Sequence, residues 1–275
     1  MGNNKKIIIL YSGGLDSFIL YHWTKQKYPS YEIKCIYYDY GNPVCQTEIS
    51  KLPEFVIVKN IEWFDNSAEK LVGKKTENHK GNIYIPGRNM VFAVLAAAQE
   101  LPDYIFMGGL YEEAHQAATD KNVEFIHKFN ELVNYVLSPF KDKILLVFPF
   151  VDESYTKSMV IDWALTNGIS PDILGKLYSC FNYSENGLPC GECHSCMRSF
   201  SFFYKKGIPI KFNRHPFFES NFGINYLQRS IQMLEASHYD RSLLQDLDYG
   251  AIKSFLIDYN IDQLLVDRID KFLEI

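Results

Sequence analysis

The sequence predicts an α/β fold: a doubly wound, mainly parallel sheet, with a metal-stapled cysteine loop and a helical C-terminal extension. Three observations lead there. Short apolar runs alternate with helical patterns as far as Thr166, and most of those runs are apolar on both faces, as in parallel strands covered by helices on each side. Four cysteines crowd around residue 190. From about Phe212 the apolar spacing is helical, without further strand patterns.

Residues 6–11 read as a strand and 16–27 as a helix, joined by a Ser-Gly-Gly turn. Glu32–Tyr40 and the short Phe55–Val58 are the next strands. Residues 66–88, rich in Lys, Gly and Asn, read as a long loop of the kind that often carries function. Asn89–Glu100 is an apolar helix, Tyr104–Met107 a strand, Val123–Leu137 a helix, Ile144–Phe150 a strand and Tyr155–Thr166 a helix. Ile224–Leu234 and Ile261–Phe272 repeat at helical spacing. The expected division is therefore 1–211, a sheet region with the cysteine site, and 212–275, a helical extension.

The chain has 275 residues, 47% of them hydrophobic, enough for a sizeable core. Its net charge of −5 argues against a broad basic face for nucleic acid. No run reaches the roughly 18 apolar residues of a membrane helix. Ile7–Leu10 is shorter than a secretory signal core. A cytoplasmic setting is expected, where clustered thiols suggest metal binding rather than disulfides.

The turn Ser12-Gly13-Gly14-Leu15-Asp16-Ser17 offers converging backbone N–H groups and the positive end of a helix, a combination that binds phosphate. It contains no lysine and fits neither G-x-G-x-x-G nor G-x-x-x-x-G-K-[ST]. An aspartate beside phosphate is repulsive unless a cation lies between. The reading is Mg²⁺ near Asp16, with Ser12 and Ser17 donating to phosphate oxygens. The plainer reading is that Asp16 and Ser17 merely cap the helix.

Cys180, Cys190, Cys193 and Cys196 are spaced C-x9-C-x2-C-x2-C. Two overlapping C-x-x-C units and a fourth thiol can close a tetrahedron around Zn²⁺, with Gly191 permitting the tight turn. A four-thiolate zinc has no open position, so it would staple rather than catalyse. An iron–sulfur cluster is the competing occupant, and His194 could replace one cysteine. Cys35 reads as core. Cys45, after a Gly-Asn-Pro turn, could be exposed, with a catalytic thiol there the minor alternative.

S-G-G-x-D-S after the first strand resembles the PP-loop of ATP pyrophosphatases. Together with the cysteine block it is similar to 7-cyano-7-deazaguanine synthases (QueC). "YIPGRN" (Tyr84–Asn89) resembles that family's Y-x-P-G-R-N. "YGNPVCQTEI" keeps Tyr40, Gly41 and Glu48 of its Y-G-Q-x-H-x-x-E but loses the histidine. Lys157 stands where the family opens a helix with lysine, and Arg198 follows the last cysteine as the pattern requires. The resemblance spans roughly residues 6–210. Its D-x-S-G-Y-P-D-C-R-x-E-F stretch has become "AHQAATDKNVEF" (Ala114–Phe125), retaining only Asp120, Glu124 and Phe125.

The resemblance implies an adenine nucleotide alpha hydrolase-like PP-loop fold. It implies ATP on Ser12, Gly13, Gly14, Leu15, Asp16 and Ser17, with Tyr40 and Gly41 nearby, and Mg²⁺ on Asp16. Arg88 and Lys157 become cations for the transition state; their bland readings are a surface ion pair and a solvated helix end. Arg88, Asn89, Asp120 and Glu124 become contacts to a deazapurine, although Glu124 could simply occupy the first turn of a helix. The implied activity is ATP-dependent C–N ligation of 7-carboxy-7-deazaguanine with ammonia, to amide or nitrile. The altered segment and added helices leave room for a protein amine as acceptor. A PP-loop tRNA-modifying enzyme is the remaining alternative, opposed by the acidic charge balance. The family resemblance also implies a homodimer.

Overall fold

The computed structural model describes residues 4–41, 43–61, 87–114, 120–180, 182–237 and 247–273. Most of the loop read at 66–88, and Tyr84–Pro86 of the Y-x-P-G-R-N match, lie outside these residues. Packing divides the chain between Asn167 and Gly168 into two compact units. That is a division of packing; the 1–211/212–275 division is a reading of function.

The first unit is a five-stranded sheet in the order β3-β2-β1-β4-β5. The strands are β1 Lys6–Leu10, β2 Glu32–Asp39, β3 Val56–Asn60, β4 Tyr104–Phe106 and β5 Leu145–Val147. Every pairing is parallel. β1 is the central strand, and its Ile7, Ile8 and Ile9 are all 0% exposed. Successive strand side chains point to opposite faces, so three consecutive isoleucines need an apolar layer on both sides. On one side Ile8 and Leu10 join Ile36, Ile105 and Leu146 beneath Ala93, Ala96 and Ala97 of the helix Arg88–Glu100. Those alanines let the helix lie close to the sheet. The strand order reverses beside β1, which places the loops after β1 and β4 at the crevice where open α/β sheets bind ligands.

Several boundaries shift by a residue or more from the sequence reading, and two of the shifts have a clear local cause. The strand read at Ile144–Phe150 ends at Val147, because Pro149 opens the short helix Pro149–Asp152. Proline has its φ preset for a first helical position and lacks the N–H a continuing strand would need. The helix read from Tyr155 begins at Lys157, after the cap Thr156. A further helix, Pro43–Ile49, has no apolar periodicity to announce it.

The second unit holds the cysteine loop and the helices His194–Tyr204, Phe222–Ala236, Tyr249–Asp258 and Gln263–Leu273. Met197 and Phe200, just after the last cysteine, share a core with Leu227, Ile231, Phe255 and Ile269. Among the described residues no helix is long and apolar enough to cross a membrane.

Candidate functional site

β1 delivers the chain to Ser12, and Gly13 turns it with φ of +75°, a value L side chains rarely adopt. Gly14 is the N-cap of the helix Leu15–Lys27 and has no side chain to cap with. The serines close the turn instead. The Ser17 hydroxyl donates to the Gly14 carbonyl at 2.9 Å and accepts from the Ser12 N–H at 3.2 Å. The two hydroxyls stand 3.2 Å apart. Both serines therefore belong to the turn's own scaffold, and Ser12 remains exposed at its tip.

Asp16 and Lys157 meet. Lys157 Nζ lies 2.5 Å from Asp16 Oδ1. The lysine is 8% exposed, so it is not a solvated helix end. Two features that sequence reading missed support the pair. Glu112, 5% exposed, accepts the Lys157 backbone N–H on Oε1 at 2.9 Å. Gly108 faces the loop so closely that a Cβ there would stand 3.2 Å from the Asp16 Cβ. Beside it, a Cβ on Gly109 would lie 2.2 Å from Cδ1 of Phe148. A Gly-Gly pair directly after the strand β4 was the available signal.

Arg88 opens its helix after Gly87, whose φ is +70°. Burial raises the Tyr40 pKa, and the nearby Arg88 guanidinium works against that rise. Burial likewise raises the Glu48 pKa, opposed by a hydrogen bond from Tyr37 and by the charges of Arg88 and Lys51. The Tyr37 hydroxyl donates to Glu48 Oε2 at 2.7 Å. Tyr40, Glu48 and Arg88 thus form one polar cluster. Gly41, at φ +76°, donates its N–H to Asp39 Oδ1 at 3.0 Å. Cys45 is 0% exposed, which corrects the exposed thiol expected there: the helix Pro43–Ile49 turns it inward. Cys35 is core as read, its thiol pushed up to about 12 by burial.

The two candidate carboxylates separate. Asp120 accepts from Asn89 through Oδ2 to the backbone N–H and Oδ1 to the side-chain amide, each at 3.2 Å. Glu124, with a side chain 72% exposed, pairs with Lys128 one turn along its own helix. Residues 115–119 of the altered segment lie outside the described residues.

In the second unit, the Sγ atoms of Cys180, Cys190, Cys193 and Cys196 all lie within 4.8 Å of one another. Backbone N–H groups of Cys190 and Glu192 reach Cys180 and Cys190 Sγ at 3.3 Å, and that of Gly191 reaches Cys196 Sγ at 3.4 Å. Such donors favour thiolates over thiols. A Cβ on Gly191 would meet the Arg214 carbonyl oxygen at 1.7 Å. His194 turns its Nδ1 to the Tyr226 hydroxyl. The four sulfurs could hold a metal ion.

Residues 6–206 match the family model described as "Queuosine biosynthesis protein QueC". The 7-cyano-7-deazaguanine synthase of Methanocaldococcus jannaschii is 25% identical over 75% of this chain and 97% of its own length. That of Prochlorococcus marinus is 31% identical over 70% of this chain and 91% of its own. Among solved structures, a "predicted subunit of tRNA methyltransferase" from Methanocaldococcus jannaschii aligns with TM-score 0.39 and 16% identity, over 58% of this chain and 74% of that one.

Proposed function

The chain belongs to the QueC family of queuosine biosynthesis proteins, and from that premise we propose that it activates the carboxylate of 7-carboxy-7-deazaguanine with ATP and joins it to ammonia. Membership makes it an enzyme with QueC-like, ATP-dependent activity. The finer reading concerns substrate, steps and residues. The observation that carries it is the Lys157–Asp16 pair beside the S-G-G-x-D-S loop, which puts an ammonium and a carboxylate together where the sheet binds ligands.

In this reading the N–H groups of Gly13 to Ser17, with Tyr40 and Gly41, receive the nucleotide. Lys157 and Arg88 face charge that develops on the transferred group. A carboxylate oxygen of the deazapurine attacks phosphorus, pyrophosphate departs, and the carboxyl carbon gains a good leaving group. Ammonia attacks that carbon, loses a proton and expels AMP, leaving the amide. A second ATP then takes the amide oxygen onto phosphorus with release of pyrophosphate, and loss of both amide protons with expulsion of AMP leaves the nitrile. In this reading Asp120, now held by Asn89, accepts from ring N–H and amino groups; Glu124 would reach the ring only by leaving Lys128.

The donor set fits a Mg²⁺ held mainly by nucleotide oxygens and water, with one partly exposed carboxylate, Asp16, beside the Ser12 and Ser17 hydroxyls. The ion would neutralise phosphate charge next to that carboxylate. The cysteines fit Zn²⁺. Tetrahedral bonds of about 2.3 Å separate sulfurs by about 3.8 Å, and Cys190–Cys196 and Cys180–Cys196 are 3.8 Å apart with Cys193–Cys196 at 3.4 Å. An iron–sulfur cube, with each thiolate on a different iron, spreads its ligands wider.

We read 1–211 as the ligase region and 212–275 as an extension; the family match stopping at residue 206 supports this. The extension and the departures within Ala114–Phe125 favour one second reading, transfer of the activated deazaguanine to a protein amine. A cytoplasmic setting and a homodimer belong to the same proposal. The test is mass spectrometry of protein with ATP, Mg²⁺, 7-carboxy-7-deazaguanine and ammonium. Amide or nitrile supports the first acceptor; product only with added protein amine supports the second; turnover of neither sinks both.

A further inference from the structure

We propose that Glu112 is a positioning residue that sets the reach of Lys157 onto Asp16. The proposal rests on the reading of Lys157 as the cation facing the nucleotide. A carboxylate at 5% exposure is costly to bury unless it is well used. The helix Lys157–Thr166 already has a side-chain cap, since Thr156 Oγ1 accepts from the Met159 N–H at 3.4 Å. That cap leaves the first N–H of the helix, on Lys157 itself, without a partner in its own helix. Glu112 takes that group at 2.9 Å, and its charge suits a helix N-terminus.

The second half of the argument is where Glu112 comes from. Glu112 lies in the short helix Tyr111–Ala114, and the loop leading into that helix from β4 carries Gly108, which lies against Asp16 and Ser17. The Tyr111 N–H donates to the Tyr155 carbonyl at 3.1 Å, a further tie to the segment leading into Lys157. Residues 108–112 therefore touch Asp16 at one end and Lys157 at the other. Neighbouring Glu113 joins Lys121 at 3.0 Å, so only Glu112 is directed at the lysine backbone. One short segment fixes both partners of an ion pair that are far apart in sequence. Glu112 acts through the Lys157 backbone, so it is not assigned to the reacting atoms.

The experiment is a double-mutant cycle on the full chain, reading the Kd of a non-hydrolysable ATP analogue with Mg²⁺ by titration calorimetry. Glu112→Ala is expected to weaken binding about tenfold, Glu112→Gln to restore most of it because its amide oxygen still accepts the N–H, and Lys157→Ala to weaken it at least as much. In the Lys157→Ala background Glu112→Ala should cost nothing further. Additive losses would overturn the proposal, since a merely structural carboxylate acts regardless of the lysine. If Glu112→Ala does not fold, Glu112→Asp, which draws the carboxylate back by one methylene, takes its place in the cycle. Unchanged affinity in Lys157→Ala would overturn the nucleotide-site reading itself, whereas loss in Lys157→Ala with additivity would overturn only the role of Glu112.

Discussion

Lys157 Nζ stands 2.5 Å from Asp16 Oδ1 across 141 residues of sequence, in a loop whose own sequence contains no cation. In the proposed reading this lysine, carried by the helix Lys157–Thr166, the second helix after β5, stands in for the cation the loop lacks.

Lys157→Ala and Asp16→Asn should each lower kcat/KM for ATP by about 100-fold or more, the usual effect of removing one electrostatic partner from a reacting charge. Pyrophosphate release reads this. A loss under threefold in Lys157→Ala would place the lysine outside the reaction.

Gly109→Ala should destabilise the first unit by about 3 kcal/mol, because its Cβ would enter the ring of fully buried Phe148 at 2.2 Å. Urea unfolding measures it. An unchanged midpoint would mean that the ring can shift aside freely.

Metal analysis should find about one zinc per chain, and chelation should melt the helices that share a core with Met197 and Phe200, because metal binding and folding are coupled. Far-UV circular dichroism after chelation follows the loss. Iron with visible absorbance would contradict the zinc assignment.

Burial works to raise the Glu100 pKa, but Lys59 and Lys6 outweigh it and hold it at about 2, against an ordinary 4.5. A depressed carboxylate contributes fully above its unfolded pKa. The contribution should therefore be intact above about pH 4.5 and fade as pH falls toward 2. Melting temperatures from pH 6 to pH 2 should show a shallower decline in Glu100→Gln than in the wild-type chain. Parallel curves would contradict it.

The sheet was legible because Ile7–Ile9 and most of the other strands are apolar on both faces, as parallel strands covered by helices are. The ends were less so: Pro149 stops a strand that hydropathy alone would run on to Phe150. Among the residues of the proposed site, Asp16, Lys157, Arg88 and the cysteines were read from motifs. Glu112 did not, since its meaning lies in a hydrogen bond to a backbone N–H 45 residues away, which no local pattern encodes. Cys45 misled for a similar reason: a turn residue suggests exposure until the following helix decides which way it points.

In the proposed reaction ATP activates a carboxylate. The direct measurement uses 7-carboxy-7-deazaguanine labelled with ¹⁸O in both carboxylate oxygens, with ATP, Mg²⁺ and ammonium, and follows the label by mass spectrometry. Attack through a carboxylate oxygen predicts one ¹⁸O in the released AMP for each amide formed. Amide formed with no ¹⁸O in AMP or phosphate would contradict it.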